Sequence, residues 1–220
     1  MAIFRYGEAE LSWLRSRDEK LGKAIDIIGP VEREVDPDLF SSVMHHIIGQ
    51  QISTKAQATI WARMQDALGE VTPATVLAAG ESKLQSFGMT YRKVGYLTEF
   101  ARRVEAGEFD LDAVAAMSDE DAIAALDALP GIGRWTAEMI LLFCLERPNV
   151  FAFDDLAIQR GLRMLYHHRR ITPQLFAKYR RRYSPYGSTA SLYLWAIAGG
   201  AIPGLRDWVP KAKAKSKSKR

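Results

Sequence analysis

Apolar residues recur at helical spacing along nearly the whole chain, and polar residues fill the positions between them. Ala122, Ile123, Leu126 and Leu129 follow one another on one face of a segment that Ser118 and Asp121 open in a capping-box-like pattern. Trp135, Met139 and Leu142 share a face of the next segment, which begins near Arg134. Three further helix starts are signalled by Asp36-Pro37, Thr72-Pro73 and Thr172-Pro173, each a capping side chain ahead of a proline suited to the first helical position. Glycine-containing breaks fall near Gly29-Pro30, Gly69, Gly80, Gly107, Gly131 to Gly133 and Gly199-Gly200. No convincing run alternates with the period of a strand. The pattern predicts an all-α protein of about ten helices.

With 220 residues the chain can bury a real core in one large or two small domains. Its 48% apolar and 25% charged residues are ordinary for a soluble globular protein. No apolar run reaches the ~18 residues of a membrane span. The start, Met1-Ala2-Ile3-Phe4-Arg5, does not read as a secretory signal. Cys144 stands alone, so it forms no internal disulfide, four-thiolate zinc site or iron–sulfur cluster. The expectation is a reducing compartment: cytoplasmic if the source is bacterial, nuclear if eukaryotic.

The net charge of +4 is unevenly spread. Lys211 to Arg220 hold five lysines and one arginine; without them 24 basic residues face 26 acidic ones, and the body carries −2. Any nucleic acid must therefore be met by a local patch. The alternating Lys, Ala and Ser of residues 210–220 cannot bury a core and read as a disordered basic tail, an electrostatic arm or simply a solubilising end.

The most informative stretch is Leu129-Pro130-Gly131-Ile132-Gly133-Arg134-Trp135-Thr136-Ala137. A helix ends at Leu129, a second begins near Arg134, and glycines stand at alternate positions of the turn between them. Glycine lets a backbone come close to another molecule. The N–H groups that open the second helix lack partners within it, and the helix dipole favours an anion there. Such a turn suits a phosphate oxygen, with Ile132 anchoring it into the core. An isolated turn of this kind would read as a plain helix connection. The whole string between two helices points instead to phosphate.

These residues resemble the helix-hairpin-helix DNA glycosylases, and within them the 3-methyladenine DNA glycosylase II group. Three more stretches carry the resemblance: Phe151-Ala152-Phe153-Asp154-Asp155-Leu156, about twenty residues after the hairpin, Ile47-Ile48-Gly49-Gln50-Gln51-Ile52-Ser53, and Leu192-Tyr193-Leu194-Trp195. Together they extend over roughly residues 35–200. The resemblance implies two helical subdomains with an active-site cleft between them. Residues 1–209 would be the glycosylase domain, with a central part of about 53–145 ending in the hairpin and the N-terminal helices packing with the C-terminal part. It also implies a compact form of the group, without the extra N-terminal α/β domain of the bacterial type. Double-stranded DNA would be the partner, bound by a monomer, with no membrane and no cofactor. A monovalent cation held by the carbonyls of Leu129 and Ile132 occurs in such hairpins.

Relatives that also cleave the backbone carry a lysine two residues after the second glycine, to attack the sugar. Trp135 occupies that position here, and an indole is no such nucleophile. A purine methylated at N3 or N7 is cationic and already a good leaving group. The enzyme must extrude the nucleotide, hold the base and support the positive sugar that forms. By resemblance Asp155 is the carboxylate that does so, by electrostatics or by activating water. Asp154 competes for the role, although it reads better as the N-cap of the helix starting near Leu156.

Trp135 and Trp195 match positions lining the base pocket, where an aromatic face attracts a cation by ~0.5–2 kcal/mol; core packing is the other reading, more evenly balanced for Trp195. Met139 replaces an aromatic residue of some relatives and leaves the substrate range open. Gln51 takes the position of the wedge that fills the gap left by the extruded nucleotide. Gln50 reads rather as a residue satisfying loop backbone groups. Arg134, the Thr136 hydroxyl and the turn at Gly131 and Gly133 are the phosphate contacts. Arg92-Lys93 and Lys178 to Arg182 are weaker candidates, since charge runs are usually solvated helix faces. The pairs His45-His46 and His167-His168 show no metal-ligand pattern. A binding module for damaged DNA, or a glycosylase for another lesion such as an oxidised base, are the competing functions.

Overall fold

The structure is a computed structural model that describes residues 2–208; the basic tail expected over 210–220 lies outside them. Among the described residues there are twelve α-helices. They are α1 (Glu8–Arg17), α2 (Glu19–Ile28), α3 (Leu39–Gly49), α4 (Thr54–Leu68), α5 (Pro73–Ser86), α6 (Tyr91–Glu105), α7 (Leu111–Ala116), α8 (Asp119–Asp127), α9 (Arg134–Phe143), α10 (Leu156–Tyr166), α11 (Pro173–Tyr183) and α12 (Gly187–Ala198). The count exceeds the expected ten, in part because the six-residue α7 is too short to show a helical period. Two strands, β1 (Ala2–Ile3) and β2 (Glu34–Val35), pair antiparallel with Ala2 opposite Val35. Two residues each are too few for an alternation to be legible.

The chain divides into two compact units. The first comprises Met1–Arg5 and Arg33–Arg147, the second Tyr6–Glu32 and Pro148–Arg220. In the first, α3 packs on α4, α6 and α9, α5 on α6, and α8 on α9. In the second, α1 and α2 from the start of the chain pack with α10, α11 and α12 from its end.

The proline-marked starts at Thr72 and Thr172 form as expected, each hydroxyl accepting from the backbone N–H three residues on, and Ser118 caps α8 in the same way. The start expected at Asp36-Pro37 is displaced. Asp38 is the cap, its carboxylate accepting from Ser41 N at 2.6 Å. The Asp36 N–H donates to the Phe143 carbonyl at 2.9 Å, and its carboxylate accepts from Asp38 N at 3.4 Å, so Asp36 lies just ahead of the helix. The helix before the hairpin ends at Asp127 and not at Leu129.

The core of the second unit is built on Leu14, Leu21, Ile25, Ile158, Leu162, Tyr183 and Tyr193. Asp18, buried in this unit, N-caps α2 by accepting from Leu21 N at 2.9 Å and pairs with Arg182 of α11. A buried carboxylate is tolerable only with such partners. Arg182 thus leaves the run of expected phosphate contacts. The tightest approach in this unit is α10 against α12 at Gly161, where a Cβ would stand 2.4 Å from the Leu194 carbonyl oxygen.

Candidate active site and hairpin

In the second unit residues 148–153 run against the start of α12. Ser188 Oγ accepts from Val150 N at 2.9 Å, and Ser191 Oγ donates to Val150 O at 3.2 Å. The Phe151 ring stacks on Phe176 with centroids 4.6 Å apart. This segment delivers Asp155 to the N-terminus of α10. Asp155 is only 6% exposed. Its Oδ1 accepts from Ile158 N at 2.7 Å and from the Trp195 indole Nε1 at 3.0 Å. The helix N-terminus favours a carboxylate electrostatically, and the two N–H donors fix its orientation. Asp155 is therefore the N-cap, a role expected of Asp154, which is exposed. Spacing alone did not separate two adjacent aspartates; the bond from Ile158 N does, and the indole of Trp195 adds a second donor. Trp195 packs partly against the core of this unit, one of the two roles weighed for it, while its nitrogen holds the carboxylate, a role that was not among them.

In the first unit the turn from Leu129 to Gly133 is closed by Ile132 N donating to Leu129 O at 3.0 Å, with both apolar side chains buried. Its two glycines do different work. Gly131 has φ +87°, and a Cβ there would lie 2.4 Å from the Tyr96 ring. Gly133 has an extended backbone and nothing within 4 Å of a Cβ. It N-caps α9 without a side chain, and the first bond of that helix runs from Ala137 N to Gly133 O. The exposed N-terminal turn of α9 is open to an anion.

The residues expected to accompany the turn are placed unevenly. Trp135 is 43% exposed, whereas Met139 is buried. Thr136 is buried too, so its hydroxyl offers little to a solvent-borne phosphate. Arg134 is exposed but pairs with Glu120 at 3.1 Å and Glu138 at 3.5 Å, and the Glu120 bond raises its pKa further. The carbonyl of Leu129, expected to hold a cation, accepts the turn-closing bond and keeps a second lone pair for one. Among the described residues no group of three His, Cys, Asp or Glu side chains could hold a metal ion. The Cys144 thiol is buried, and burial pushes its pKa up to about 12.

The loop 49–53 lies beside the hairpin. Gln51 is exposed at its tip with φ +59°, a conformation uncommon for a side chain other than glycine. Gln50 turns inward and its Nε2 donates to Gly131 O, the backbone role read for it. Lys93 of α6 reaches back to the same loop and donates to Ile48 O and Gln50 O, both at 2.6 Å. Sequence reasoning placed Lys93 on a solvated face; its partners lie 45 and 43 residues away, and no local signal marks them.

Comparison with known proteins agrees with this geometry. Residues 44–185 match the HhH-GPD superfamily of base excision DNA repair proteins. A solved DNA-3-methyladenine glycosidase from Bacillus halodurans superposes with TM-score 0.81 at 30% identity, covering 91% of this chain and 94% of that one. A Schizosaccharomyces pombe 3-methyladenine DNA glycosylase in complex with abasic DNA superposes with TM-score 0.75 at 26% identity, over 86% and 95% of the two chains. DNA-3-methyladenine glycosylase 2 of Escherichia coli is 28% identical over 173 residues, 74% of this chain but 58% of its own length. The chain belongs to the HhH-GPD superfamily, in its 3-methyladenine DNA glycosylase group. Its all-α fold is the glycosylase fold of that superfamily. Among the described residues no helix is long and apolar enough to cross a membrane.

Proposed function

We propose that the protein is a monofunctional DNA glycosylase that hydrolyses the N-glycosidic bond of alkylated purines, 3-methyladenine first and 7-methylguanine with it. The observation that carries this reading is the Asp155 carboxylate, buried at the N-terminus of α10 and oriented by Trp195. Held there, it supports positive charge developing on the sugar, or takes a proton from the attacking water. The leaving base needs no strong acid, because alkylation has already made it cationic. Trp135 presents an aromatic face to that cation and, standing where a lyase has its lysine, supplies no amine to trap the sugar. The open turn at Gly133 receives a phosphate of the DNA backbone, and Gln51 fills the space that the flipped nucleotide leaves.

The test is release of bases from randomly methylated duplex DNA by wild type and Asp155→Asn, followed by chromatography. Asparagine caps a helix about as well as aspartate, so the variant keeps the cap and removes the negative charge. Wild type releases 3-methyladenine, and the variant is slower by about 10²–10⁴-fold while still binding DNA. Equal turnover by the two proteins overturns the role of Asp155. Saturable binding with no base released by wild type overturns the enzyme in favour of a damage-binding module.

A further inference from the structure

We infer that Lys93 is a positioning residue, a clamp that sets the loop carrying Gln51 against the hairpin and so controls insertion into duplex DNA. The inference rests on the wedge role of Gln51 proposed above. Its basis is a continuous chain of contacts within the first unit. The Lys93 ammonium donates to Ile48 O and Gln50 O, the carbonyls on either side of Gly49 where α3 ends. A cation is favoured at a helix C-terminus, where carbonyls lack partners. The loop's other internal bonds, Gln50 N to Ile47 O and Ile52 N to Gly49 O, are both long at 3.4 Å. Gln50, held through its own carbonyl, extends its amide to Gly131 O in the hairpin, and Gly131 rests on Tyr96 of α6 one turn from Lys93. Loop, hairpin and α6 thereby close a ring of contacts.

The loop is not packed solidly from beneath. A cavity of about 300 Å³ lies between it and α6, lined by Gln50, Gln51, Ile52, Arg92, Lys93 and Tyr96. Across that space the two short Lys93 bonds do the holding, and they keep Gln51 in its left-handed backbone conformation at the exposed tip. Burial, reinforced by the charge of Arg92, lowers the lysine's pKa. An ammonium occupied by two carbonyls is also poorly placed to neutralise phosphate. Its removal should therefore affect insertion and leave the general attraction to DNA in place.

The experiment uses a duplex with an abasic-site analogue beside a fluorescent adenine analogue, which brightens when it is unstacked. Wild type, Lys93→Met and Lys93→Arg are titrated into this duplex and into the single strand of the same sequence, at several salt concentrations. Methionine keeps most of the length and loses the charge; arginine can again bridge two carbonyls. The expected result is that Lys93→Met needs about tenfold more protein to reach half brightening on the duplex, the size of about one lost charge-assisted bond. Its binding to the single strand and its salt slope stay those of wild type, and Lys93→Arg recovers most of the duplex signal.

Equal duplex curves for Lys93→Met and wild type overturn the clamp, and so does an equal loss on the single strand with a shallower salt slope, which would mark a phosphate contact. If thermal unfolding shows that Lys93→Met does not fold, Gln50→Met carries the same test by cutting the link from loop to hairpin. No brightening by wild type overturns the inference together with the insertion on which it rests. Brightening that depends on Lys93, without base release from methylated DNA, overturns only the glycosylase reading.

Discussion

The hairpin of the first unit and the carboxylate of the second are built on opposite plans. At the hairpin the proposed working groups are backbone N–H donors in the open, and side chains serve them from behind: Ile132 anchors the turn, Gln50 holds Gly131 O, and Lys93 holds the neighbouring loop. At Asp155 the proposed working group is a side chain, and the backbone serves it through Ile158 N at the first turn of α10, with the Trp195 indole as a side-chain donor. A backbone site must tolerate the absence of side chains where DNA comes close. A carboxylate site must be enclosed, because its orientation depends on every donor around it. The glycines of the two regions follow from this difference, and substituting them separates the two plans.

The largest effect is expected at Gly161. A methyl group there meets the Leu194 carbonyl at 2.4 Å, an obstacle made of backbone that cannot turn aside. Gly161→Ala should push α10 from α12 and draw Asp155 away from Trp195, costing about 1–3 kcal/mol of stability together with most of the base release. Thermal unfolding and the methylated-DNA assay read the two; an unchanged midpoint with full activity would show that the approach is slack.

The two hairpin glycines come next and should part company. Gly131→Ala carries both a positive φ and a clash with the Tyr96 ring, so stability should fall by about 1–3 kcal/mol. Gly133→Ala enters open space on an extended backbone. Losing a glycine stabilises through the unfolded chain and weakens the cap, so the net should lie within about 0.5 kcal/mol. Its DNA affinity should still drop, because the methyl group occupies the approach of the phosphate. A pair of variants with matching unfolding curves would remove the distinction between a glycine required by the fold and one required by the ligand.

The smallest effect concerns pH. His46 on α3 is held through Nδ1 to Ser42 O at 2.8 Å, and burial lowers its pKa below the ordinary 6.5. The unfolded chain therefore takes up a proton near pH 6.5 before the folded one does, and wild-type stability should decline as the pH falls through that value. Denaturant unfolding of His46→Gln between pH 7.5 and 5.5 should give a flatter profile. Parallel profiles would mean that the ring is free to charge in the folded protein.

What could be read from sequence alone divides along the range of the forces involved. The caps at Thr72, Ser118 and Thr172 are bonds over three residues, and they form where local chemistry places them. The start expected at Asp36-Pro37 falls two residues later, at Asp38, while Asp36 is engaged by Phe143, more than one hundred residues on, a partner that no local signal marks. The hairpin was legible because its glycines, its anchor and its helix start are contiguous. Asp154 and Asp155 both suit a cap by local chemistry; the donor that singles out Asp155 besides the cap bond, the Trp195 indole, lies forty residues further along. Lys93 was invisible as a clamp, since a lysine beside an arginine on a helix is in most chains a solvated charge.

The second unit is discontinuous in the chain, and this sets an order of events during synthesis. Trp13 Nε1 donates to Ser184 O across 171 residues, and Asp18 pairs with Arg182 across 164. At ~5–20 residues per second, α1 and α2 wait on the order of ten to thirty seconds for the helices that complete their core. The hairpin's own surroundings have by then all been translated, ending at Arg147. The contact between Asp155 and Trp195 thus becomes available only after the hairpin's unit has been translated. On the function proposed above, a nascent chain stopped before α12 would carry the surface proposed to meet phosphate and lack the indole that orients the carboxylate, so a prematurely ended product would be equipped to grip DNA but not to cut the base from its sugar.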